Sequence, residues 1–211
     1  MSRFYITKIA ASGEKVEYSS VPFKDGVNFI EGPSNTGKSY VIGCIDFMFA
    51  GKEVPFSKDD TGYDTVMLEM ESDDGYSFKA ERKIEDGSSG DKGSNVVKVY
   101  SDFPGVDKDE YKVGNGEYST LLLSLIGIDK VPKIIATQAP TDEEMTIRTI
   151  FHFFFLSEEN IFKKRTPLDN PDHSKITKSL TSLIYLLTAD DLNRFLPKIS
   201  VEELEKRATR K

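Results

Sequence analysis

The sequence lacks the residues on which several classes of protein depend. Its 211 residues include one cysteine, Cys44, two histidines, His152 and His173, and no tryptophan. One cysteine excludes an intramolecular disulfide and a cysteine-rich zinc site, and two histidines are too few to support a metal site. No apolar run is long enough to span a bilayer, and the first residues contain no apolar segment typical of a signal peptide. We therefore expect a cytoplasmic protein with no membrane partner.

Basic residues are outnumbered by acidic residues, 28 to 35, which gives a net charge of −7 at pH 7. This charge excludes a uniformly basic protein that wraps nucleic acid, and it argues against strong DNA binding by this chain alone. Hydrophobic residues make up 38% of the sequence and aromatic residues 11%, a composition typical of a packed globular core. The length predicts one large domain, or one domain and a fragment.

One motif in the sequence points to a specific chemistry. Residues 32–39 read GPSNTGKS, which satisfies the P-loop pattern G-x-x-x-x-G-K-[ST] at every fixed position. The short apolar run at residues 27–30, bounded by turn residues, predicts a buried strand before the motif. The apolar segment from Lys38 to Ala50 predicts a buried helix after it. A strand, a glycine-rich loop and a helix are the context that this motif requires.

Each fixed position of the motif has a physical role in holding the phosphates of a nucleotide. Gly37 lets the backbone approach the phosphates, and successive N–H groups of the loop form an anion-binding nest at the helix N-terminus. Lys38 reaches the β- and γ-phosphates, and the Ser39 hydroxyl is placed to ligate Mg²⁺. The predicted binding set is Gly32, Pro33, Ser34, Asn35, Thr36, Gly37, Lys38, Ser39 and Tyr40.

The rest of the chain predicts a β-rich half followed by helices. Alternating apolar and polar residues predict a hairpin between 4–9 and 16–18, and a second hairpin between 64–71 and 76–84. A glycine- and serine-rich loop is predicted at 85–95, before a strand at 96–100. Helices are predicted at 119–126 and 174–187, and the start of a coiled coil at 201–208.

The segments around the P-loop resemble the start of the ATPase heads of the SMC, RecN and RecF class. The resemblance rests on FKDGVNFIEG at 23–32, IDFMF at 45–49, FKAERKI at 78–84 and the leucine-rich segment that ends in IGI at 126–128. The chain departs from the class at Ser34 and Asn35, where Asn and Gly are usual. Because Asn tolerates left-handed backbone geometry, the loop can still form.

This resemblance implies an α/β P-loop NTPase fold, with an ABC-ATPase-like N-terminal lobe that combines a mixed sheet, a β-rich flank and a helical C-terminal part. It implies the lobe at residues 1–162, and a linker and helices at 163–211 that lead into a coiled coil. In this class ATP and Mg²⁺ are held between two heads, each completed by its own C-terminal lobe, and the assembly acts on DNA in repair, chromosome organisation or defence. The chain ends where the coiled coil is expected to begin. We therefore expect half of a head, which hydrolyses ATP only when the C-terminal lobe and a second head are present.

The sequence leaves open which acidic residue acts with Lys38 in catalysis. The resemblance implies a glutamine after an apolar strand, for which residues 150–156 are the candidate, but Glu158 and Glu159 follow it and Gln138 lies too early. Either glutamate then takes the place of the glutamine as an oxygen ligand, or the coupling differs. In a competing interpretation the same segment is a Walker B strand that carries Glu158 or Glu159 to Mg²⁺ and water.

Asp190 and Asp191, which follow the apolar segment 183–187, are a second Walker B candidate. With such an acid the chain would be a self-contained P-loop kinase or NTPase, which is the first alternative function. The second alternative is a non-catalytic module in which bound nucleotide stabilises contact with a protein partner.

Three further features have simple structural interpretations. Arg82 is predicted to be an exposed strand residue that pairs with Glu81 or Glu69, although the resemblance also allows it to reach the P-loop. Cys44 and His152 are interpreted as core residues. The basic cluster at 163–165 is too short to indicate a nucleic-acid surface.

Overall fold

The computed structural model describes residues 3–34, 36–88, 90–137, 141–155, 175–192 and 194. The chain divides into two compact units, residues 1–130 and residues 131–211. The predicted domain boundary at 162/163, the basic cluster at 163–165 and the predicted coiled coil at 201–208 lie outside the described residues.

A six-stranded antiparallel sheet, with strand order β2-β1-β3-β4-β5-β6, dominates the first unit. Its strands are β1 (Phe4–Gly13), β2 (Val16–Pro22), β3 (Thr65–Ser72), β4 (Ser77–Gly87), β5 (Gly90–Ser101) and β6 (Glu110–Lys112). Both predicted hairpins are confirmed. All neighbouring strands of this sheet pair antiparallel, whereas the resemblance implies a mixed sheet. The P-loop NTPase fold itself stays a prediction.

The predicted loop at 85–95 is wrong, because β4 and β5 continue through it and pair as far as Gly87 and Gly90. The register of this pair shifts between Arg82 and Ile84, which marks a bulge. Gly93 lies beside the bulge, and a Cβ atom at this position would come within 2.6 Å of the Phe47 ring and 2.7 Å of Arg82 Nη2. A glycine in this segment is therefore required by packing and does not indicate a loop.

Three helices complete the first unit: α1 (Lys38–Met48), α2 (Lys58–Thr61) and α3 (Glu117–Leu125). Helix α1 contacts β1, β3 and β4. Its residues Cys44, Phe47 and Met48 are buried, as Cys44 was expected to be, but Tyr40 and Ile42 are exposed. The helix is thus buried along one side only, whereas the sequence predicts a buried helix.

The apolar run before the P-loop does not form the predicted buried strand. Val27 is 83% exposed and Phe29 90% exposed, and Ile30 is also exposed. Residues 27–31 have no regular secondary structure and make no backbone–backbone hydrogen bond to another described residue. A strand that is apolar on both faces needs neighbours on both sides, and no described strand of this chain takes that place.

Arg82 is buried, so the prediction of an exposed strand residue is wrong. It shares one face of β4 with Phe78, Ala80 and Ile84, all of which point into the core. Glu81 pairs instead with Lys79, and Glu69 with Lys8. The strict period of two along β4 contains this information, because it places every second residue on the same face.

The guanidinium of Arg82 joins the sheet to the C-terminal end of α1. Its Nη1 atom donates to the carbonyl oxygens of Phe47 and Gly51, both at 2.8 Å, and its Nε atom donates to Ser94 O at 2.9 Å. The Cζ atom lies 4.1 Å from the centroid of the Phe47 ring. Burial lowers the pKa of Arg82 to about 10, which leaves the group charged at neutral pH. A cation at this end of a helix also favours the helix dipole.

The second unit contains a two-stranded sheet of β7 (Lys133–Ile135) and β8 (Asp142–Glu144), followed by α4 (Ile147–Phe151) and α5 (Ile176–Thr188). Helix α5 confirms the prediction at 174–187 within one or two residues of its ends. The proposed strand at 150–156 is wrong in its described part. Thr146 and Thr149 form a capping box that starts helix α4 at this point. His152, interpreted as a core residue, is half-buried.

Replacing Arg82 by methionine tests the role of its buried hydrogen bonds. Arg82→Met removes three donors from carbonyl oxygens in the core, so we expect the free energy of unfolding to fall by about 3 kcal/mol. Urea denaturation followed by circular dichroism measures the change. Lys83→Met, at the exposed neighbouring position of β4, is the control and is expected to change the stability by less than about 0.5 kcal/mol. Equal effects of the two substitutions would contradict the assignment.

Candidate functional site

The described residues of the P-loop end at a left-handed glycine. Gly37 has φ +86° and precedes the first residue of α1. The Thr36 hydroxyl donates to the carbonyl oxygen of Pro33 at 2.8 Å, which closes the loop on itself. A Cβ atom at Gly32 would lie 3.0 Å from Thr36 Oγ1. The two glycines of the motif are therefore used for backbone geometry at one position and for close packing at the other.

The Lys38 ammonium lies across this loop. Its Nζ atom donates to Gly32 O at 2.7 Å and also to Pro33 O, and it lies 3.4 Å from Thr36 Oγ1. All of these acceptors are neutral, and no described carboxylate is paired with Lys38. Phosphate oxygens bind an ammonium more strongly than neutral carbonyl oxygens do, because the hydrogen bond is then formed between opposite charges. The ammonium is thus positioned to form an ion pair with an anion bound on the loop.

The N-terminus of α1 has no competing anion. Gly37 has no side chain to cap the helix, and no acidic residue lies in its first turn. Ser39 and Tyr40 are exposed beside it. The backbone N–H groups of the first turn and the helix dipole therefore favour a bound anion at this end. Together with the loop and Lys38, they provide the donors that a triphosphate requires.

The residues at the P-loop also include a possible ligand for a nucleotide-bound Mg²⁺ ion. The described residues contain no group of three or more His, Cys, Asp or Glu side chains that could hold a metal by themselves. Mg²⁺ in phosphate-transfer proteins is bound mainly by substrate phosphates and water, with one or two protein ligands. The exposed Ser39 hydroxyl can supply one such ligand once phosphates lie on the loop.

Of the acidic residues predicted for the site, the structure describes Asp190 and Asp191. Glu158, Glu159 and Gln138 lie outside the described residues, as does Asn35 of the loop itself. Asp190 is engaged at the end of α5, where its carboxylate accepts from Leu192 N at 3.0 Å and pairs with Arg194 at 2.7 Å. Asp190 therefore has a local structural role, and the identity of the catalytic acid stays a prediction.

A cavity of about 310 Å³ adjoins the P-loop between α1 and the first two strands. Thr36, Gly37 and Tyr40 of the predicted binding set line it. Three further lining residues, Ser19, Phe56 and Tyr63, were missed by the sequence analysis. They are separated from the motif by at least 13 positions on either side and belong to no recognisable pattern, so no sequence signal could have found them.

The aromatic residues around the cavity contact one another. The ring centroids of Tyr40 and Phe56 are 6.0 Å apart, and those of Phe56 and Tyr63 are 5.6 Å apart. The Tyr63 hydroxyl lies 2.5 Å from Ser19 Oγ on β2. Cys44 lines the same cavity, and its burial raises the pKa of the thiol to about 12. The thiol is therefore neutral at pH 7.

In comparisons with known proteins, the chain matches no family model and no curated protein sequence. Among the described helices, none is long and apolar enough to cross a membrane.

The role of Gly37 is tested by adding one methyl group. Gly37→Ala places an L-residue at φ +86°, so we expect a loss of about 1 kcal/mol in stability and weaker binding of inorganic triphosphate, measured by isothermal titration calorimetry. The matched control is Gly26→Ala, because Gly26 has φ +94° and also has free space for a Cβ atom. The control is expected to lose similar stability and to keep its triphosphate affinity. Equal triphosphate affinities of the two variants would contradict a role of Gly37 in phosphate binding.

Proposed function

We propose that this chain is the ATP-binding half of an ATPase head similar to those of the SMC, RecN and RecF class. The observation that carries the proposal is the P-loop, in which the Lys38 ammonium lies over neutral carbonyl oxygens at an uncapped helix N-terminus. This arrangement provides a cation, backbone donors and a hydroxyl for Mg²⁺ within one short segment. The resemblance, which covers residues 3 to about 130, favours this class among P-loop proteins.

The exposed segment before the P-loop also supports the proposal. Val27, Phe29 and Ile30 expose apolar side chains to solvent, and residues 27–31 make no backbone–backbone hydrogen bond to another described residue. Such a segment gains stability when other strands pair with it and cover both of its faces. A second lobe that supplies these strands would place its own acidic residues next to the P-loop. This supports a half-head more than a self-contained kinase or NTPase.

In the proposed assembly, this half binds ATP and Mg²⁺, a C-terminal lobe completes the head, and two heads dimerise on ATP. DNA is bound by the complete assembly and not by this half, whose net charge is −7. The isolated chain should therefore bind ATP weakly and hydrolyse it hardly at all.

Binding and hydrolysis of Mg²⁺-ATP by the purified chain test this function directly. We expect weak binding that Lys38→Ala weakens about 10- to 100-fold, because the substitution removes hydrogen bonds between opposite charges. We expect no turnover above background at any protein concentration. Lys15→Ala, in the turn between β1 and β2, removes an equal charge away from the loop and should leave binding unchanged. Lys38-dependent turnover by the chain alone would contradict the half-head and favour the self-contained enzyme.

Substitution of Phe29 tests whether the apolar segment is uncovered in the isolated chain. Because this side chain is 90% exposed, Phe29→Ser should change the free energy of unfolding by less than about 0.5 kcal/mol. It should also reduce the binding of a fluorescent hydrophobic dye to the native protein. Phe47→Ser, at a wholly buried position, should cost about 3 kcal/mol or more. A loss of that size from Phe29→Ser would show that the segment is packed and would remove its support for a missing lobe.

A further inference from the structure

We propose that the cavity beside the P-loop binds the base and ribose of a nucleotide whose phosphates lie on the loop. This inference rests on the proposed function and extends it from the phosphates to the nucleoside. It assigns a role to Tyr40, Phe56, Tyr63 and Ser19, of which only Tyr40 belongs to the predicted binding set.

The cavity and the P-loop are continuous. Thr36 and Gly37 belong to the loop and also line the cavity. From Gly37 the cavity follows one side of α1 along Tyr40, Val41 and Cys44, which are spaced three and four residues apart. A molecule with phosphates at the helix N-terminus can therefore extend its remaining atoms into the cavity without crossing protein backbone.

The size and charge of the cavity suit a nucleoside. Its volume of about 310 Å³ lies at the lower end of the range of small-molecule sites, about 300–1,000 Å³. No charged side chain is among the described residues that line it. The floor includes Ala10 and Ala11 of β1, both uncharged. A neutral, flat group fits this environment, whereas a second phosphate would be left without a partner.

The lining also supplies the two kinds of contact that bases use. The rings of Tyr40, Phe56 and Tyr63 offer stacking surfaces, and stacking on such rings contributes substantially to base binding. Hydroxyl groups of Ser19 and Tyr63, 2.5 Å apart, can donate to and accept from the heteroatoms of a base or ribose. Tyr40 is 51% exposed and lies edge-on to Phe56, so part of its ring is accessible to a bound base.

The test compares ATP with inorganic triphosphate, both with Mg²⁺, by isothermal titration calorimetry. The wild-type chain should bind ATP roughly tenfold more tightly than triphosphate, because only ATP stacks in the cavity. Tyr40→Ala should remove most of this difference, because it should lower the affinity for ATP and leave the affinity for triphosphate unchanged. Tyr100→Ala, which truncates an equally exposed tyrosine of β5 (49%), should change neither affinity. Lys38→Ala should lower the affinity for both ligands.

The outcomes separate this inference from the proposed function. Equal affinities of the wild-type chain for ATP and triphosphate, or an equal loss of both in Tyr40→Ala, would overturn the nucleoside site and leave the P-loop intact. Binding of neither ligand would overturn the proposed function and the inference with it.

The single cysteine offers a second measurement that needs no substitution. Cys44 lines the cavity and is buried, so the rate of its alkylation under native conditions reports access to the cavity. At equal saturation, ATP should slow alkylation several-fold more than triphosphate, because triphosphate stabilises the loop without filling the cavity. Equal protection by the two ligands would contradict the proposal.

Discussion

The buried guanidinium of Arg82 is the interaction on which the first unit depends. It donates hydrogen bonds to carbonyl oxygens at the end of α1, at Gly51 and in the bulge of β5. It also lies over the ring of Phe47. A charge that is buried to 4% exposure is stable only when its donors are satisfied and its surroundings are fixed. Gly93 is required because Arg82 and Phe47 occupy the space of a side chain. One residue thus fixes the helix, the strand register and the bulge relative to one another.

The two ends of α1 consequently have opposite properties. The C-terminal end is held by Arg82 and carries the buried residues Phe47 and Met48. The N-terminal end has no cap, no acidic side chain in its first turn and an exposed Tyr40. A rigid attachment at one end lets the other keep backbone donors free for a ligand without loss of the fold. The C-terminal end of α1 therefore contributes to stability, and the proposed ligand site lies at its N-terminal end.

Local patterns in the sequence predicted the elements whose neighbours are close along the chain. The hairpins, α3 and α5 follow from periodicity, because their partners or their length are encoded within the segment itself. The failures share a different cause. The glycines at 87–93 indicate a loop locally, but Gly93 is required by Phe47, more than 40 positions earlier. Arg82 looks like a surface residue by type, and only the period of β4 places it inside. For the candidate site, the motif predicted the phosphate contacts, whereas the positions of Phe56, Tyr63 and Ser19 depend on how β2 and the segment after α1 fold against the loop.

The exposed run at 27–30 is another case in which burial depends on distant neighbours. Here the sequence predicts buried residues, and the structure exposes them. Burial predicted from residue type alone is not found here, because no described strand covers these apolar residues. Before the loop, the side chain of Asn28 provides local order through hydrogen bonds to Lys24 and Gly26, and Lys38 holds Gly32 and Pro33. A ligand that binds this loop must displace the Lys38 bonds and order the segment without help from a packed strand. That cost reduces the affinity of the isolated chain, and strands that cover Val27 and Phe29 would remove part of it. Weak nucleotide binding by this chain would therefore follow from its uncovered apolar segment and would not argue against the proposed phosphate site.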